Sequence, residues 1–232
     1  MDYTLADQER MRRARNYFDW LGRLVTRELG RRVLEIGCGV GNFTRLLLDR
    51  ELVVAVDLEP ECIARLAARY PNQANLQAVA CDVHSPEFSG LAAWRLDSCA
   101  CLNVLEHVPD DRLVLERVAS VLEPGGAIVL LLPAFPALYG PIDRNLGHYR
   151  RYTRASLARL AQAAGLRIRK AHYMNALGFF GWWWNARVSR REAQSETQIE
   201  ILDRFLVPVM SSVEEVVKPV FGQSLFAVLE RA

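Results

Sequence analysis

No hydrophobic run in this 232-residue chain is long enough to cross a bilayer. The most apolar stretch, Ala127 to Tyr139, is interrupted by Pro133 and Pro136, and the aromatic run Phe179 to Trp184 is short. The opening residues, MDYTLADQERMRRAR, contain no apolar segment of the secretory kind. Cysteine is sparse and unpatterned: five residues, at 38, 62, 81, 99 and 101, with no CxxC pair and no Cys/His cluster. That argues against a disulfide framework and structural zinc, and leads us to expect buried thiols in a reducing cytoplasm. Net charge is nearly absent, since 29 Lys/Arg against 27 Asp/Glu leaves +2. A protein built to coat nucleic acid would be strongly basic. Nothing repeats, and no segment is of low complexity.

The chain does hold ample core material: 51% of residues are apolar and 24% charged. One domain over residues 1–232 is expected, with a helical cap over 1–30 and a helical insertion over 174–224. Strand-length apolar runs alternate with helical patterns. Strands are expected at Arg32–Ile36, Leu52–Val56, Leu76–Cys81, Leu96–Leu102, Ala127–Leu132, Leu166–Tyr173 and Leu225–Glu230. Helices are expected over about 5–28, 42–49, 60–70, 113–122 and 154–164, the last capped by Thr153. Ile199, Leu202, Leu206 and Val209 share one face of a further helix, which Pro208 should kink or split. Runs apolar on both faces indicate a doubly wound α/β fold with a largely parallel sheet. Residues 133–152 form a long Pro/Gly-rich loop, and a loop of that length is usually functional or disordered.

The sharpest local signal joins the first strand to the next helix: Glu35-Ile-Gly37-Cys38-Gly39-Val-Gly41-Asn42. Glycines there permit positive φ and close approach of backbone to a ligand. Sixteen residues after Gly41, the second strand ends in Asp57, placed to accept both hydroxyl protons of a ribose. Asp82 ends the third strand, within reach of an adenine amino group. The dinucleotide fingerprint would need glycine at 42, where Asn42 stands, so a nicotinamide dehydrogenase fails on spacing. Glu35 suits an ammonium group, met directly or through the loop amides.

These segments resemble the motifs of class I S-adenosylmethionine (SAM)-dependent methyltransferases, small-molecule group. The glycine loop matches their first motif, Ala55-Val-Asp57-Leu58 the second, and Cys81-Asp82-Val83 the third. Leu102-Asn103-Val104-Leu-Glu-His107 matches the fourth, and Leu122-Glu-Pro-Gly-Gly126 precedes the fifth strand as in that family. The resemblance covers about residues 15–173 plus the last strand. It implies a Rossmann-like sheet of order 3-2-1-4-5-7-6 with strand 7 antiparallel, and SAM as cofactor. By the same resemblance Glu35, Gly37, Cys38, Gly39 and Gly41 hold the methionine part. Asp57 and Leu58 hold the ribose, Asp82 and Val83 the adenine, and Asn103 and Val104 lie on the sulfonium side. Tyr17, with Trp20, would close over the cofactor.

Methylating a hydroxyl requires a base. His107 and His148 are the candidates; His84 and His172 lie in no catalytic motif. Leu-Glu-His-Val-Pro-Asp is similar to a segment of ubiquinone-type O-methyltransferases, in which an acid three residues before the Glu helps form a metal site. Here that position is Asn103, so no metal is expected. The loop Asp143-Arg144-Asn-Leu-Gly-His148-Tyr149-Arg150-Arg151-Tyr152 offers a histidine with aromatic and cationic neighbours. His148, Tyr149 and Arg150 are its catalytic candidates. Tyr139, Arg144, Arg151 and Trp183 are candidates for binding an anionic, lipid- or glycan-related acceptor. The Gly-His-Tyr-Arg-Arg-Tyr string is similar to a bacterial subgroup associated with glycan and lipid metabolism. Residues 174–224 would form a lid, a peripheral membrane contact or core. Two alternatives stay open. Arg144 to Lys170, with eight Lys/Arg and no acid, keeps an RNA or protein substrate in view, although no base-amine Asp/Asn-Pro-Pro-aromatic motif exists. A non-catalytic SAM-binding module is the other. The acceptor and the oligomeric state are not legible.

Overall fold

The computed structural model describes residues 8–189 and 196–231. Seven strands form one sheet: β1 (Arg32–Ile36), β2 (Leu52–Asp57), β3 (Leu76–Ala80), β4 (Leu96–Leu102), β5 (Leu122–Pro133), β6 (Leu166–Met174) and β7 (Ser224–Arg231). Their order is β3-β2-β1-β4-β5-β7-β6. The first five pair in parallel, and β7 runs antiparallel to both β5 and β6. The expected topology is the one observed.

Consecutive strand residues feed two separate core layers. Leu34, Val54, Cys99 and Leu130 pack on one face. Their chain neighbours Val33, Val53, Ala100 and Val129 pack on the other. This double burial is why the strands read as continuous apolar runs rather than alternating ones. The first layer is covered by α3 (Asp111–Val121) and α5 (Arg154–Ala163); the second by α1 (Arg15–Val25) and α8 (Val207–Val216). In the chain, α2 (Pro60–Arg69), which adds Leu66 to the second layer, α4 (Pro141–Asn145), α6 (Ala176–Trp184) and α7 (Glu196–Ile201) alternate with these.

Several boundaries differ from expectation for identifiable reasons. The N-terminal helix is broken: residues 8–11 are helical, and α1 restarts at Arg15. The Asp203 carboxylate accepts hydrogen bonds from the Asn16 and Tyr17 N–H groups at 3.1 and 2.8 Å, so it supplies the cap that no local side chain provides. The helix expected over 42–49 shrinks to one 3-10 turn, Thr44–Leu46. That stretch is too short to sustain a helix alone, and Thr44 is tied back to Glu35. A 3-10 segment over Pro86–Trp94 buries Phe88 and Leu91 where no element was expected. The helix across Pro208 does split, into α7, a π-helical turn (Leu202–Leu206) and α8. No helix among the described residues is long and apolar enough to cross a membrane. The five thiols are free, four buried and Cys81 half-buried.

Parallel strands put their carboxyl ends on one edge. The order reverses between β1 and β4, so the loops after these two strands diverge and leave a crevice.

Candidate functional site

The glycine loop lines that crevice. Gly37, Gly39 and Gly41 have φ of 71°, 52° and 82°, left-handed values that glycine alone adopts without strain. Space is short as well: a Cβ on Gly37 would lie 2.5 Å from Val104 Cγ2, and one on Gly39 would overlap the Gln8 side chain. The Gly39 N–H donates to Asp57 Oδ2 at 2.7 Å, so the second strand's acid braces the loop. Asn42 Nδ2 donates to the Gln8 carbonyl at 2.8 Å, and the Val40 N–H donates to Gln8 Oε1 at 3.1 Å. The segment before α1 therefore lies on the loop.

Glu35 is buried beneath it. The Thr44 hydroxyl donates to its Oε2 at 2.7 Å. Burial pushes its carboxyl up to about 8, partly offset by that hydrogen bond. A buried acid without a cation on a crevice floor is the counterpart of a cationic ligand group.

A cavity of about 270 Å³ runs from this loop to the segment after β5. Tyr17, Phe18, Glu35 and Gly37 to Gly39 line it, together with Asn103, Glu106 and His107 after β4 and His148, Arg151, Trp182 and Ser224 from later in the chain. Asn103 holds a left-handed φ of 54° and donates its N–H to the Leu131 carbonyl at 2.8 Å. A strained residue at a strand's end beside a cavity is a mark of function. Burial pushes the Tyr17 phenol up to about 12, and Ser224 hydrogen-bonds with it.

Asp143 organises the segment after β5. It is fully buried, and its Oδ1 meets His148 Nδ1 at 2.9 Å and Arg151 Nε at 2.8 Å. Its Oδ2 accepts the Gly140 N–H at 2.9 Å and, more weakly, the Trp182 indole N–H at 3.4 Å. Burial alone would raise this carboxyl; His148 and the Arg151 guanidinium outweigh it and hold it below the usual range. Arg151 also donates to the Ala134 carbonyl at 3.0 Å and lies over the Trp182 ring. With Nδ1 on Asp143, His148 keeps Nε2 free. The His107 ring stands edge-on to it, centroids 4.6 Å apart, and burial, followed by His148, lowers the His107 pKa to about 4.

Glu106 is wholly buried, and neither of its oxygens has a hydrogen-bond partner. Burial pushes its carboxyl up to about 8. Glu106, His107 and His148 each offer one ligand atom within 4.8 Å of the others. One carboxylate and two imidazoles form a donor set that suits a divalent transition ion.

The structure thus gathers Tyr17, Glu35, Gly37, Cys38, Gly39, Asn103, His107, His148 and Arg151 around one cavity. The other expected residues do not line it. Gly41 turns against Leu66, Asp57 sits behind Gly39, and Leu58 is exposed. Asp82 accepts the His84 N–H at 2.8 Å, while Val83 and Val104 pack into the core. The Tyr139 hydroxyl donates to the His148 carbonyl at 2.7 Å. Arg150 donates to the Val108 and Pro109 carbonyls and pairs with Asp111. Tyr149, Arg144 and Trp183 are exposed, and Trp182 takes the wall position expected of Trp183. Gln8, Glu106, Asp143 and Trp182 were not among the expected site residues. Asp143 had a signal, a lone acid five residues before His148 in a long loop; Gln8 had none.

Comparison with known proteins identifies the family and the fold. A family model described as a methyltransferase domain matches residues 8–171. The ubiquinone biosynthesis O-methyltransferase of Aeromonas salmonicida (strain A449) is 27% identical over 168 residues, spanning 65% of this chain and 69% of that protein. The protein of the same name from Xanthomonas euvesicatoria pv. vesicatoria (strain 85-10) is 28% identical over 179 residues, 70% of this chain and 72% of that one. Among solved structures, a SAM-dependent methyltransferase from Mesorhizobium loti superposes with a TM-score of 0.59 at 18% identity, covering 91% of this chain and 96% of that one. The N-methyltransferase NodS from Bradyrhizobium japonicum WM9, solved with S-adenosyl-L-homocysteine, gives 0.56 at 17% identity, covering 92% and 84%. At such identities the structures show the shared fold.

Proposed function

The chain belongs to the class I SAM-dependent methyltransferases, and from that membership we propose that it methylates an oxygen of a small, largely apolar acceptor. The observation that carries this reading is the Asp143–His148 pair on the same cavity as the glycine loop. A hydroxyl acceptor must lose a proton, and a histidine oriented by a buried carboxylate is the group to take it. The names of the relatives, O-methyltransferases, support oxygen as the atom.

The residues fit SAM. When bound, SAM supplies an electrophilic methyl group on a cationic sulfonium. Glu35, lacking a cation, would pair with its ammonium group, and the left-handed glycines leave room for its amino-acid part. Asp57, the last residue of β2, would take the ribose hydroxyls, and Asp82 with the Val83 backbone, just beyond β3, the adenine. Asn103 and Tyr17 would border the sulfonium. On the acceptor side, Asp143 fixes the tautomer of His148, whose Nε2 receives the hydroxyl proton. Trp182, Leu146 and Met11 provide apolar walls that hold the acceptor and exclude water. The lowered pKa of His107 keeps it neutral near pH 7, so it adds no charge beside the base.

A second reading rests on the Glu106–His107–His148 cluster. A divalent ion there would acidify the acceptor hydroxyl, and His148 would act as ligand.

The test is purified protein with methyl-labelled SAM and host lysate, fractionated into small molecules, lipids, glycans, RNA and protein. Label in the small-molecule or lipid fraction supports the proposal; label only in RNA or protein overturns it. With the acceptor in hand, His148→Ala should lower kcat about 100-fold or more while SAM affinity holds. If His107→Ala alone does so, the base is misassigned. Loss of turnover on chelation, restored by a divalent ion, selects the second reading.

A further inference from the structure

Among the described residues, all the exposed large apolar side chains except Leu58 and Tyr149 lie between Leu177 and Val220. On α8, Val209, Val213 and Val216 recur at helical spacing and are 63%, 59% and 85% exposed, while Val207, Met210, Ser211 and Glu214 face the body. Trp183 and Trp184 on α6 are exposed, as is Phe205 on the intervening π turn. An apolar concentration of this kind marks a docking surface.

The charges tell which surface it meets. Every described acid of the insertion is ion-paired or hydrogen-bonded, four of the five to α1 or the segment before it and Glu214 within the insertion. Glu196 and Glu200 pair with Arg13 at 3.2 and 2.6 Å, and Glu215 pairs with Arg23 at 2.8 Å. Asp203 caps α1, and Glu214 accepts the Asn175 and Ala176 N–H groups at the start of α6, both at 2.9 Å. The cations have no such partners among the described residues. Arg187 and Lys218 donate to the Ala137 and Glu214 carbonyls, and Arg204 lies over the Phe205 ring. The outward face therefore offers apolar and aromatic side chains with interspersed cations. That is the composition of an interfacial membrane contact, in which Trp sits at headgroup level and Arg and Lys meet anionic lipid. A symmetric second copy would offer Arg187, Arg204 and Lys218 only the same face, whose described acids are already engaged.

We infer that the α6–α8 face docks on an anionic lipid bilayer. The surface adjoins the cavity, since Trp182 lines it and Trp183 and Trp184 follow directly on the same helix. An apolar acceptor dissolved in the membrane would thus enter from the docked side. The docking itself does not depend on which atom is methylated.

Flotation of the full chain with two vesicle preparations tests this: phosphatidylcholine alone, and phosphatidylcholine with one-third phosphatidylglycerol. Wild type should float with the anionic vesicles, less so as salt rises, and its tryptophan emission should shift to the blue. Val213→Asp with Val216→Asp should weaken partitioning at least about tenfold. Arg204→Glu should weaken it on anionic vesicles. Unchanged circular dichroism and SAM titration establish that the variants are folded. Absence of flotation at low salt overturns the inference, as does equal flotation by wild type and the Asp variant. A wild-type dimer that ignores vesicles and dissociates in the Asp variant also overturns it and gives the face to a second copy.

Discussion

Asp57 carries two demands on one carboxylate. Its Oδ2 holds the Gly39 N–H and its Oδ1 accepts from the Glu59 N–H at 3.0 Å, so it shapes the loop it would also serve as a ribose acceptor. Asp57→Ala should raise the SAM dissociation constant at least about tenfold. Calorimetry that finds unchanged affinity removes Asp57 from the site. Glu35 makes a prediction with a definite sign. Its carboxyl lies at about 8 in the free protein. A bound ammonium favours the ionised form, so binding expels a proton and affinity climbs from roughly pH 6 toward 8. Glu35→Gln should flatten that climb; the same slope in the variant assigns it to another group. Residue types in the two glycine-loop strands were legible because each serves a local backbone need. Glu106 and Trp182 were not, because what singles them out is burial beside a cavity that distant segments enclose.

At the scale of elements, Asp203 ties two of them together. It lies in the π-helical turn before α8 and caps α1, whose Tyr17 lines the cavity. Asp203→Ala should cost roughly 1–2 kcal/mol, the worth of a lost cap, and lower Tm by roughly 2–8 °C. Asp203→Asn should lose less, because its amide oxygen still accepts. A Tm unchanged in Asp203→Ala would mean that α1 starts without it. This contact explains the misread N-terminus: a helix broken by a carboxylate nearly two hundred residues away leaves no local signal. The seven strands were legible because double burial writes itself as apolar runs. The Pro86–Trp94 segment was not, since a 3-10 helix has no amphipathic period to read. Residues 133–152 looked like an open loop because their order comes from Asp143, whose partners are spread from Gly140 to Trp182.

For the molecule as a whole, the question is whether residues 174–224 unfold with the sheet or apart from it. Their two ends are fixed in adjacent strands, β6 and β7, with β7 itself between β5 and β6. Val207 and Met210 belong to the same core layer as Trp20, Val129 and Phe226. Glu214 caps α6, and Asp203 caps α1. Melting the insertion alone would expose one face of the sheet, uncap α1 and open the cavity wall at Trp182, a cost too widely shared for separate unfolding. We therefore expect one transition, coincident by far-ultraviolet circular dichroism and by tryptophan fluorescence. SAM at about a hundred times its dissociation constant should add about 2.7 kcal/mol and raise that single midpoint by roughly 5–10 °C. Asp57→Ala, at the same SAM concentration, should lose part of the shift while keeping one transition. Fluorescence that changes well below the circular dichroism midpoint would instead make the insertion a separate unit, free to open over the cavity while the sheet stays folded.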